Sequence, residues 1–345
     1  MDFALDEEQS LLRDSVRRYV DQEARFSPRH WAQFAQMGWL GAALPEAVGG
    51  FGGSIIQTVL IAEQLGRGLL VEPFVPVAVL AAQALLAAAD AEPARNALGA
   101  LIDGASIVVP ALGQPAGMQV SAGGACLSGQ QTLVVGGPRA DCFLVAAPEG
   151  GGLSLFLCAA DAPGLLRHDY RLLDGTPACD LQFDAVPAQA VRRVGGQGDL
   201  DLALCHAQLA RCAQAIGVMD RAIDATREHL LQRQQFGVPI ASFQALRHRL
   251  ADMLIAHEQA RATLHGALAA LVTRGAGPQA TRALAIAKAL CGRSGRFIGA
   301  QAIQLHGGMG ISDECIVGHC FKHLLVFDSL DGNTAAQLRH LAAAL

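Results

Sequence analysis

Apolar residues recur at helical spacing in the first part of the chain. From Leu5 to about residue 103 they appear every three or four positions and alternate with charged residues, which predicts amphipathic helices. Residues 45–53, which include four glycines and a proline, interrupt the pattern, and helical spacing resumes at Ile55. The most apolar stretch, residues 77–89, contains Gln83 and is too short to span a bilayer, so it predicts a buried helix.

The last part of the chain has the same helical character. One apolar stripe predicts a helix of about 30 residues, and a second run from Phe243 to Met253 follows the break at residues 236–239. Long helices joined by short turns indicate an antiparallel bundle. The stripe consists of Leu209, Cys212, Ile216, Met219, Ile223, Thr226 and Leu230.

The middle region has short apolar runs separated by glycine and proline, which is typical of β-strands. In the last run, Cys179, Leu181, Phe183 and Ala185 alternate with polar residues, so they are predicted to share one face of a strand. The runs are residues 107–109, 133–135, 142–146, 153–157 and 178–186.

These patterns predict an α+β multidomain fold. We expect an N-terminal helical domain over residues 1–103, a small barrel-like β-domain over residues 104–194, and a C-terminal four-helix bundle over residues 195–345.

Composition narrows the classes of function. Hydrophobic residues make up 52% of the chain, charged residues 17%, and the formal net charge is −5, so disorder and electrostatic binding to nucleic acid or membrane are not indicated. The acidic start lacks a secretory signal pattern, so we expect a cytoplasmic protein. The nine cysteines include no Cys-x-x-Cys pair, and we expect no metal site. Five of them are interpreted as reduced core thiols: Cys126, Cys142, Cys158, Cys179 and Cys205.

Three groups of motifs appear in a distinctive order along essentially the whole chain. They are Met37-Gly38-Trp39-Leu40-Gly41 with Leu44-Pro45-Glu46, Gly49-Gly50 and Ala62-Glu63-Gln64-Leu65-Gly66-Arg67; Arg233-Gln234-Gln235-Phe236-Gly237-Val238-Pro239-Ile240 with Phe243-Gln244; and Gln304-Leu305-His306-Gly307-Gly308-Met309-Gly310. This order resembles the acyl-CoA dehydrogenase family of flavoproteins. The resemblance implies an acyl-CoA substrate, an FAD cofactor, and an electron-transferring flavoprotein as acceptor.

The resemblance also implies which residues bind FAD. Arg233 corresponds to an arginine that reaches the FAD pyrophosphate in a neighbouring subunit, and its planar guanidinium suits a diphosphate. Phe236 offers an apolar face beside the adenosine, and Gln304 offers an amide. Gly307, Gly308 and Gly310 allow the backbone to approach a ligand closely.

Simpler interpretations of these residues stay open. Arg233 is also a cation at a helix end, where it complements the helix dipole, and residues 307–310 are also an ordinary turn between helices. A dinucleotide-binding interpretation of the glycines is excluded, because no strand precedes them and the GxGxxG spacing is absent.

The implied base departs from the family. Most members abstract the α-proton with a glutamate in an aromatic-Glu-Gly-Thr segment, and the matching stretch here is Leu330-Asp331-Gly332-Asn333-Thr334. Asp331 therefore occupies the base position with a side chain one methylene shorter, although Asp-Gly is also a common turn pair. Other members place the glutamate early in the long helix, where this chain has Ala207 beside His206.

The β-domain departs further from the family. At the positions of the family's flavin-contacting tryptophan and hydroxyl, this chain has Leu133 and Val135, and Gly113-Gln114-Pro115 replaces a Thr-Glu-Pro segment. The framework segments Arg139-Ala140-Asp141, Pro163-Gly164 and Phe183-Asp184-Ala185-Val186-Pro187 still resemble the family.

Three hypotheses follow. The first is a self-sufficient, homo-oligomeric enzyme that uses Asp331 as base. The second, which we favour, is a degenerate subunit of a heteromeric acyl-CoA dehydrogenase, such as a heterotetramer, that lends Arg233, Phe236 and the loop from Gln304 to Gly310 to FAD held mainly by a partner. Steroid side chains or fatty acids undergoing β-oxidation are the implied substrates. The third is a noncatalytic scaffold that binds CoA thioesters.

Overall fold

Helices, then strands, then helices again follow one another along the chain, as predicted. The computed structural model describes residues 4–22, 29–113, 117–121, 126–149, 152–187, 189–194 and 198–343. The predicted segment Gly113-Gln114-Pro115 lies mostly outside these residues.

The elements before the strands are helical. A π-helical segment, Phe74–Ala81, leads into the fourth helix, and the predicted buried helix at residues 77–89 corresponds to these two segments. The helices are α1 (Glu7–Gln22), α2 (His30–Gln36), α3 (Ile55–Arg67), α4 (Ala82–Ala87) and α5 (Glu92–Ile102).

Among the residues that the structure describes, eight strands form the middle region, and five helices and a two-stranded hairpin follow. The strands are β1 (Val108–Ala111), β2 (Met118–Val120), β3 (Cys126–Val135), β4 (Cys142–Glu149), β5 (Gly152–Ala159), β6 (Leu165–Arg171), β7 (Pro177–Pro187) and β8 (Gln189–Val194). The later elements are α6 (Gly198–Gln232), β9 (Gln234–Gln235), β10 (Val238–Pro239), α7 (Gln244–Arg274), α8 (Pro278–His306), α9 (Ile316–Ser329) and α10 (Thr334–Ala343).

The chain divides into two compact units that are not continuous in sequence. The first comprises Met1–Phe26, Val59–Leu70 and Gln208–Leu345, and the second comprises Ser27–Thr58 and Val71–Ala207. The two domain boundaries that the sequence suggests, at residues 103/104 and 194/195, stay a prediction.

The second unit contains two four-stranded sheets that pack against each other. One has the order β1-β4-β5-β8, in which only β1 and β4 are parallel, and the other is antiparallel with the order β2-β3-β7-β6. Phe143 of β4 and Phe156 of β5 are fully buried. Two sheets packed in this way agree with the barrel-like domain that the sequence predicts.

The predicted alternation in β7 is correct up to Phe183 and wrong beyond it. Cys179, Leu181 and Phe183 are buried, but Ala185 is exposed, has a φ of 47°, and leaves the inward position to Val186. The pairing with β3 shifts register here, so one extra residue of β7 forms a bulge. A bulge turns the following residues to the opposite face, and simple alternation cannot anticipate it.

The first unit is built on the predicted apolar stripe. All seven members of the stripe in α6 are buried, which confirms the long helix and its orientation. Where α3 crosses α6, the backbones meet directly: a Cβ on Gly66 would overlap the backbone of Gln214, and one on Gly217 would overlap the carbonyl of Glu63. Only glycine permits such a close crossing of two helices.

Two further expectations concern the cysteines and the membrane. All nine cysteines are free; of the five interpreted as core thiols, Cys158, Cys179 and Cys205 are buried, whereas Cys126 and Cys142 are partly exposed. Burial raises the pKa of Cys142 to about 11, so this thiol is protonated at neutral pH. Within the part of the chain that the structure describes, no helix is long and apolar enough to span a bilayer.

Candidate functional site

The two predicted FAD-binding segments lie at the same end of the helical bundle. The imidazole rings of His229, near the end of α6, and His306, the last residue of α8, stack with centroids 4.3 Å apart. Arg233 follows His229 by one helical turn, and Gly307 follows His306 directly. The structure therefore brings together the segments that the sequence places about 70 residues apart.

The first segment is a small hairpin formed by β9 and β10. Its two-residue loop, Phe236-Gly237, has φ values of 54° and 81°, and two positive φ angles are the mark of a type I′ turn. Glycine adopts this conformation freely, but phenylalanine does so only at a cost. Phe236 is 91% exposed and contacts Phe243 edge-on, with ring centroids 6.1 Å apart.

Arg233 lies at the base of this hairpin. Its backbone N–H donates to the carbonyl of His229, and its carbonyl accepts from Ile240, so the main chain is fixed. The side chain is exposed, and no carboxylate among the described residues forms an ion pair with it. The position is a helix end, as the simpler interpretation requires, but the guanidinium is also available for an anion.

The second segment is the turn that joins α8 to α9. Gly307 has a φ of 63° and ends α8, and a Cβ on Gly307 or Gly308 would have open space around it. Gly310 differs, because a Cβ there would come within 2.7 Å of the carbonyl oxygen of Ile303. Gln304 is exposed beside this turn. The segment is an inter-helix turn in which Gly307 and Gly308 leave the backbone uncovered, whereas the Met309 side chain is 55% exposed.

Asp331 lies in the turn between α9 and α10 and forms an ion pair. It has a φ of 53°, its carbonyl accepts a hydrogen bond from Gln337 Nε2 at 3.0 Å, and its Oδ2 lies 2.5 Å from Arg211 Nε. The Arg211 side chain on α6 is only 11% exposed, whereas that of Asp331 is 43% exposed. Asp331 is thus a turn residue whose carboxylate faces a nearly buried cation.

Asp331 and the FAD-binding segments are far apart. Helices α8 and α9 run antiparallel, since Gly299 packs on Phe321 and Gly292 packs on Asp328. The ammonium of Lys288 on α8 donates to the carbonyl of Asp328, three residues before Asp331. Gln304 lies 16 residues further along α8, which corresponds to a helical rise of about 24 Å. The structure therefore does not bring the predicted base and the predicted FAD-binding residues into one site.

Lys288 was not anticipated from the sequence. It is fully buried, donates to the carbonyls of Phe327 at 2.9 Å and Asp328 at 3.3 Å, and lies 4.2 Å from the centre of the Phe327 ring. Burial lowers its pKa, although nearby acidic groups oppose the shift. In the sequence, the signal for a buried charge was a single lysine within an apolar stretch of a predicted helix. In the structure, Lys288 caps the last carbonyls of α9.

The β-domain positions provide no flavin-binding group. Leu133 is 43% exposed, has a φ of 57°, and its N–H donates to Asp180 at 2.9 Å. Asp180 also accepts from the Tyr170 hydroxyl at 2.8 Å, and burial with this bond raises the pKa of Tyr170 to about 12. Val135 is partly exposed and offers only an apolar side chain.

The other candidates in this unit are also accounted for. The framework residue Arg139 pairs with Glu72, and Asp141 accepts from the Ile107 N–H at 2.8 Å, so both hold the domain together. At the position of the alternative base, Ala207 is buried and carries no acid. Burial lowers the pKa of His206 to about 4, and its buried Nδ1 has no hydrogen-bond partner in the described part of the chain.

A partly buried charge network in the first unit was also missed. Arg261 on α7 contacts Glu63 of α3 at 3.2 Å and Asp220 of α6 at 2.7 Å, and Asp220 contacts His257 at 3.1 Å. Glu63 belongs to the motif Ala62–Arg67, which was the only sequence signal. The network connects three helices, so this motif holds the fold together.

Two family models match most of this chain. Residues 6–105 match the acyl-CoA dehydrogenase N-terminal domain, and residues 199–345 match the acyl-CoA dehydrogenase C-terminal domain. Acyl-CoA dehydrogenase FadE27 of Mycobacterium tuberculosis is 30% identical over 340 residues, which cover 95% of this chain and 91% of FadE27.

Solved structures are similar over nearly the whole chain. A chain of the Tcur3481-Tcur3483 steroid acyl-CoA dehydrogenase G363A variant is 30% identical, with a TM-score of 0.85 and coverage of 98% of this chain and 97% of that one. A chain of the ChsE4-ChsE5 complex from Mycobacterium tuberculosis is 29% identical, with a TM-score of 0.89 and coverage of 99% and 98%.

One solved structure of this fold contains the reduced flavin: a glutaryl-CoA dehydrogenase from Mycobacterium smegmatis in complex with FADH2. It is 20% identical to this chain, with a TM-score of 0.88 and coverage of 99% of this chain and 95% of that one, so it shares the fold. Both ends of the chain match one family, and relatives match it almost end to end. This chain therefore belongs to the acyl-CoA dehydrogenase family of oxidoreductases acting on CH–CH bonds.

Proposed function

We propose that this chain is the FAD-supporting, catalytically degenerate subunit of a two-chain acyl-CoA dehydrogenase. The partner chain holds most of the FAD and supplies the base, and this chain contributes Arg233, Phe236, Gln304 and the turn 307–310. The observation that carries the proposal is the ion pair between Asp331 and Arg211.

The ion pair disfavours Asp331 as the base of this chain. A base for a carbon acid must present its carboxylate to the α-carbon within hydrogen-bond reach. Oδ2 of Asp331 instead faces Arg211, and its negative charge is balanced there. Removing the aspartate from this pair would leave a nearly buried guanidinium without a partner, which is unfavourable.

The residues at the other end of the bundle fit FAD. Arg233 has no carboxylate partner in the described chain, and its fork matches a diphosphate. Phe236 exposes a large aromatic face, and the outer faces of Gly307 and Gly308 leave room for a ligand at the backbone. When bound, the flavin ring supplies the hydride acceptor. This chain's residues bind and orient the adenosine diphosphate end, because Leu133 and Val135 provide nothing that holds the ring.

The relatives favour a steroid-related substrate and a heteromeric assembly. Two solved structures about 30% identical to this chain are each named after a pair of proteins, Tcur3481-Tcur3483 and ChsE4-ChsE5. The first is described as a steroid acyl-CoA dehydrogenase and the second as a complex. We infer α,β-desaturation of an acyl-CoA with a bulky, steroid-derived acyl group, in a heterotetramer that passes electrons to an electron-transferring flavoprotein in the cytoplasm.

Reconstitution tests the proposal. The chain is purified alone and after co-expression with a candidate large subunit, and the flavin spectrum, native mass and dye-coupled turnover of each sample are measured. Flavin and turnover are expected only in the mixed complex. Stoichiometric FAD with turnover in the isolated chain would establish the self-sufficient enzyme, and a complex that binds acyl-CoA without flavin would establish the scaffold.

A matched pair of variants examines the residues. Arg233→Ala should lower the flavin content of the complex several-fold. Arg274→Ala, an exposed arginine at the opposite end of the bundle, should leave it unchanged. Equal flavin content in both variants would contradict the assignment of Arg233.

A further inference from the structure

Two histidines from different helices lie face to face at one end of the helical bundle. The ring planes of His229, near the end of α6, and His306, the last residue of α8, are inclined by 23°, with centroids 4.3 Å apart. Both residues are half-buried, so protons can reach the rings from solvent. Histidine changes its charge near neutral pH, and the contact between these rings therefore depends on pH.

A hydrogen bond fixes the ring of His306. Its Nδ1 lies 2.8 Å from the carbonyl oxygen of Ala302, one turn earlier in α8. A carbonyl oxygen only accepts, so Nδ1 donates and carries a hydrogen in both the neutral and the charged ring. The proton that His306 gains or loses is therefore on Nε2, and titration leaves this hydrogen bond in place.

The surroundings of His229 oppose its protonation. Burial lowers the pKa of this ring, and the neighbouring His306 of α8 and Arg233, which directly follows α6, lower it further. In the described part of the chain, the charged groups that act on His229 are these two, and both are basic. His229 is therefore less than half-charged at pH 6.5, where an ordinary histidine is half-charged.

The charge of the pair determines whether the rings stay together. One imidazolium above a neutral imidazole is attracted by the ring electrons, as in other cation–π contacts. Two imidazoliums with centroids 4.3 Å apart repel each other, and neither ring takes part in an ion pair among the described residues. Because the two rings interact, their protons bind in separate steps, and only the second step drives the rings apart.

Each ring is closely joined to one of two surface segments. Arg233, just before the β9–β10 hairpin, follows His229 by one helical turn and donates its N–H to the His229 carbonyl at 2.9 Å. The turn 307–310 begins at the residue after His306. Separation of the rings would therefore move the hairpin relative to the turn.

We propose that His229 and His306 are positioning residues that form a proton-controlled clamp. With at most one proton, the stacked rings hold the hairpin and the turn 307–310 in their observed arrangement, and with two protons they let the segments separate. The effect of the clamp on flavin rests on the proposed function, whereas the titration of the rings and the separation of the segments do not.

Titration of the rings tests the first step. The full chain is labelled with 13C at the ring Cε1 atoms of histidine, and the NMR signals, assigned with His229→Gln and His306→Gln, are followed from pH 8.5 until both rings are charged. His306→Gln should raise the midpoint of His229 by about 0.5 pH unit or more, about a threefold change in proton affinity, because one cation is removed. His248→Gln, which changes an exposed histidine of α7, should leave it unchanged. Equal midpoints of His229 in all three proteins would overturn the proposal.

Hydrogen exchange tests the separation of the segments. After correction for the intrinsic pH dependence of exchange, protection of residues 234–238 and 307–311 should fall by about tenfold as the second proton binds, while residues 284–291 in the core of α8 keep theirs. The double variant His229→Phe with His306→Phe keeps two rings that cannot be charged, so its protection should stay constant. Constant protection in the wild type, or the same loss in the double variant, would overturn the proposal.

Flavin retention connects the clamp with the proposed function. The wild-type mixed complex should lose flavin several-fold in gel filtration between pH 7.5 and the pH at which the second proton is bound, and the complex with both phenylalanines should not. Equal loss from the two complexes, or stronger retention by the wild type in acid, would overturn the positioning role. A complex without flavin at either pH would contradict the proposed function, and the ring titration and hydrogen exchange would still decide the clamp.

Discussion

Arg211 on α6 holds the carboxylate of Asp331 at 2.5 Å, in a turn that follows α9. The arginine side chain is 11% exposed, so its charge has few alternatives to this partner. A carboxylate bound in this way stabilises the turn between two helices. The same pair decides whether this chain contains its own base.

The first prediction concerns this ion pair. Asp331→Asn and Arg211→Gln should each lower the free energy of unfolding by about 1–2 kcal/mol, the range for a partly exposed charge-assisted contact. Their effects should be non-additive in the double variant, because both remove one interaction. Urea unfolding of the isolated chain measures this.

Turnover of the mixed complex gives the second half of that experiment. Both single variants should retain turnover if Asp331 is structural. Loss of turnover in Asp331→Asn, with normal flavin content and with Arg211→Gln still active, would show that Asp331 is the base after all.

The second prediction concerns the crossing of α3 and α6. Gly217→Ala places a methyl group against the carbonyl of Glu63, and Gly66→Ala places one against the backbone of Gln214. Because backbone cannot yield as a side chain can, each variant should lose about 2–3 kcal/mol of stability. Gly266→Ala is the control: this α7 glycine has open space around it, so alanine should raise stability by up to about 1 kcal/mol. Equal thermal midpoints for the three variants would contradict the close crossing.

The third prediction concerns pH and the partly buried charge network of α3, α6 and α7. Burial lowers the pKa of His257, but its hydrogen bond to Asp220 outweighs this, and the net pKa is raised above 6.5. The groups that face it are Asp220 of α6 and Glu258 and Arg261 of its own helix, with Glu63 of α3 joined through Arg261. A raised histidine pKa stabilises the fold below pH 6.5, and this contribution disappears as the pH rises through the folded-state value.

Two histidine variants on α7 isolate that contribution. The stability difference between wild type and His257→Gln should be large at pH 6 and should shrink toward pH 8.5. His248→Gln, which changes an exposed residue on the same helix, should have the stability of the wild type at both pH values. A difference for His257→Gln that stays constant or grows with pH would contradict the raised pKa.

What the sequence could predict differs from element to element. The stripe from Leu209 to Leu230 was correct because helix periodicity is local and seven positions repeat the signal. Ala185 was misplaced because a bulge depends on the register with another strand. The pairing of Arg211 with Asp331 joins residues distant in sequence, so no local pattern contains it.

The motifs found in the sequence have two different structural roles. Those around Arg233 and Gly307 were found at one end of the bundle, because each defines a helix end that the fold then brings together. The motif Ala62–Arg67 contributed to the family resemblance in the sequence, but no residue of it was given a role. Its Glu63 and Gly66 serve packing against α6 and α7, which becomes visible only when the partners Arg261 and Gln214 are known.

The last prediction concerns Phe236, whose backbone conformation lowers the stability of the chain while its ring is proposed to bind the cofactor. Its left-handed backbone costs about 1 kcal/mol for a side chain of this size, and its ring is 91% exposed, so it gains little from burial in the isolated chain. Phe236→Asn creates the residue pair that type I′ turns favour and should stabilise the chain by about that amount. The same variant should lower the flavin content of the mixed complex, because the aromatic face is lost.

Phe236→Trp keeps both the strain and a ring, so it should match the wild type in stability and flavin content. Thermal unfolding of the isolated chain and flavin absorbance of the complex measure the two effects. A Phe236→Asn complex with full flavin content would show that the strained ring serves something other than the cofactor.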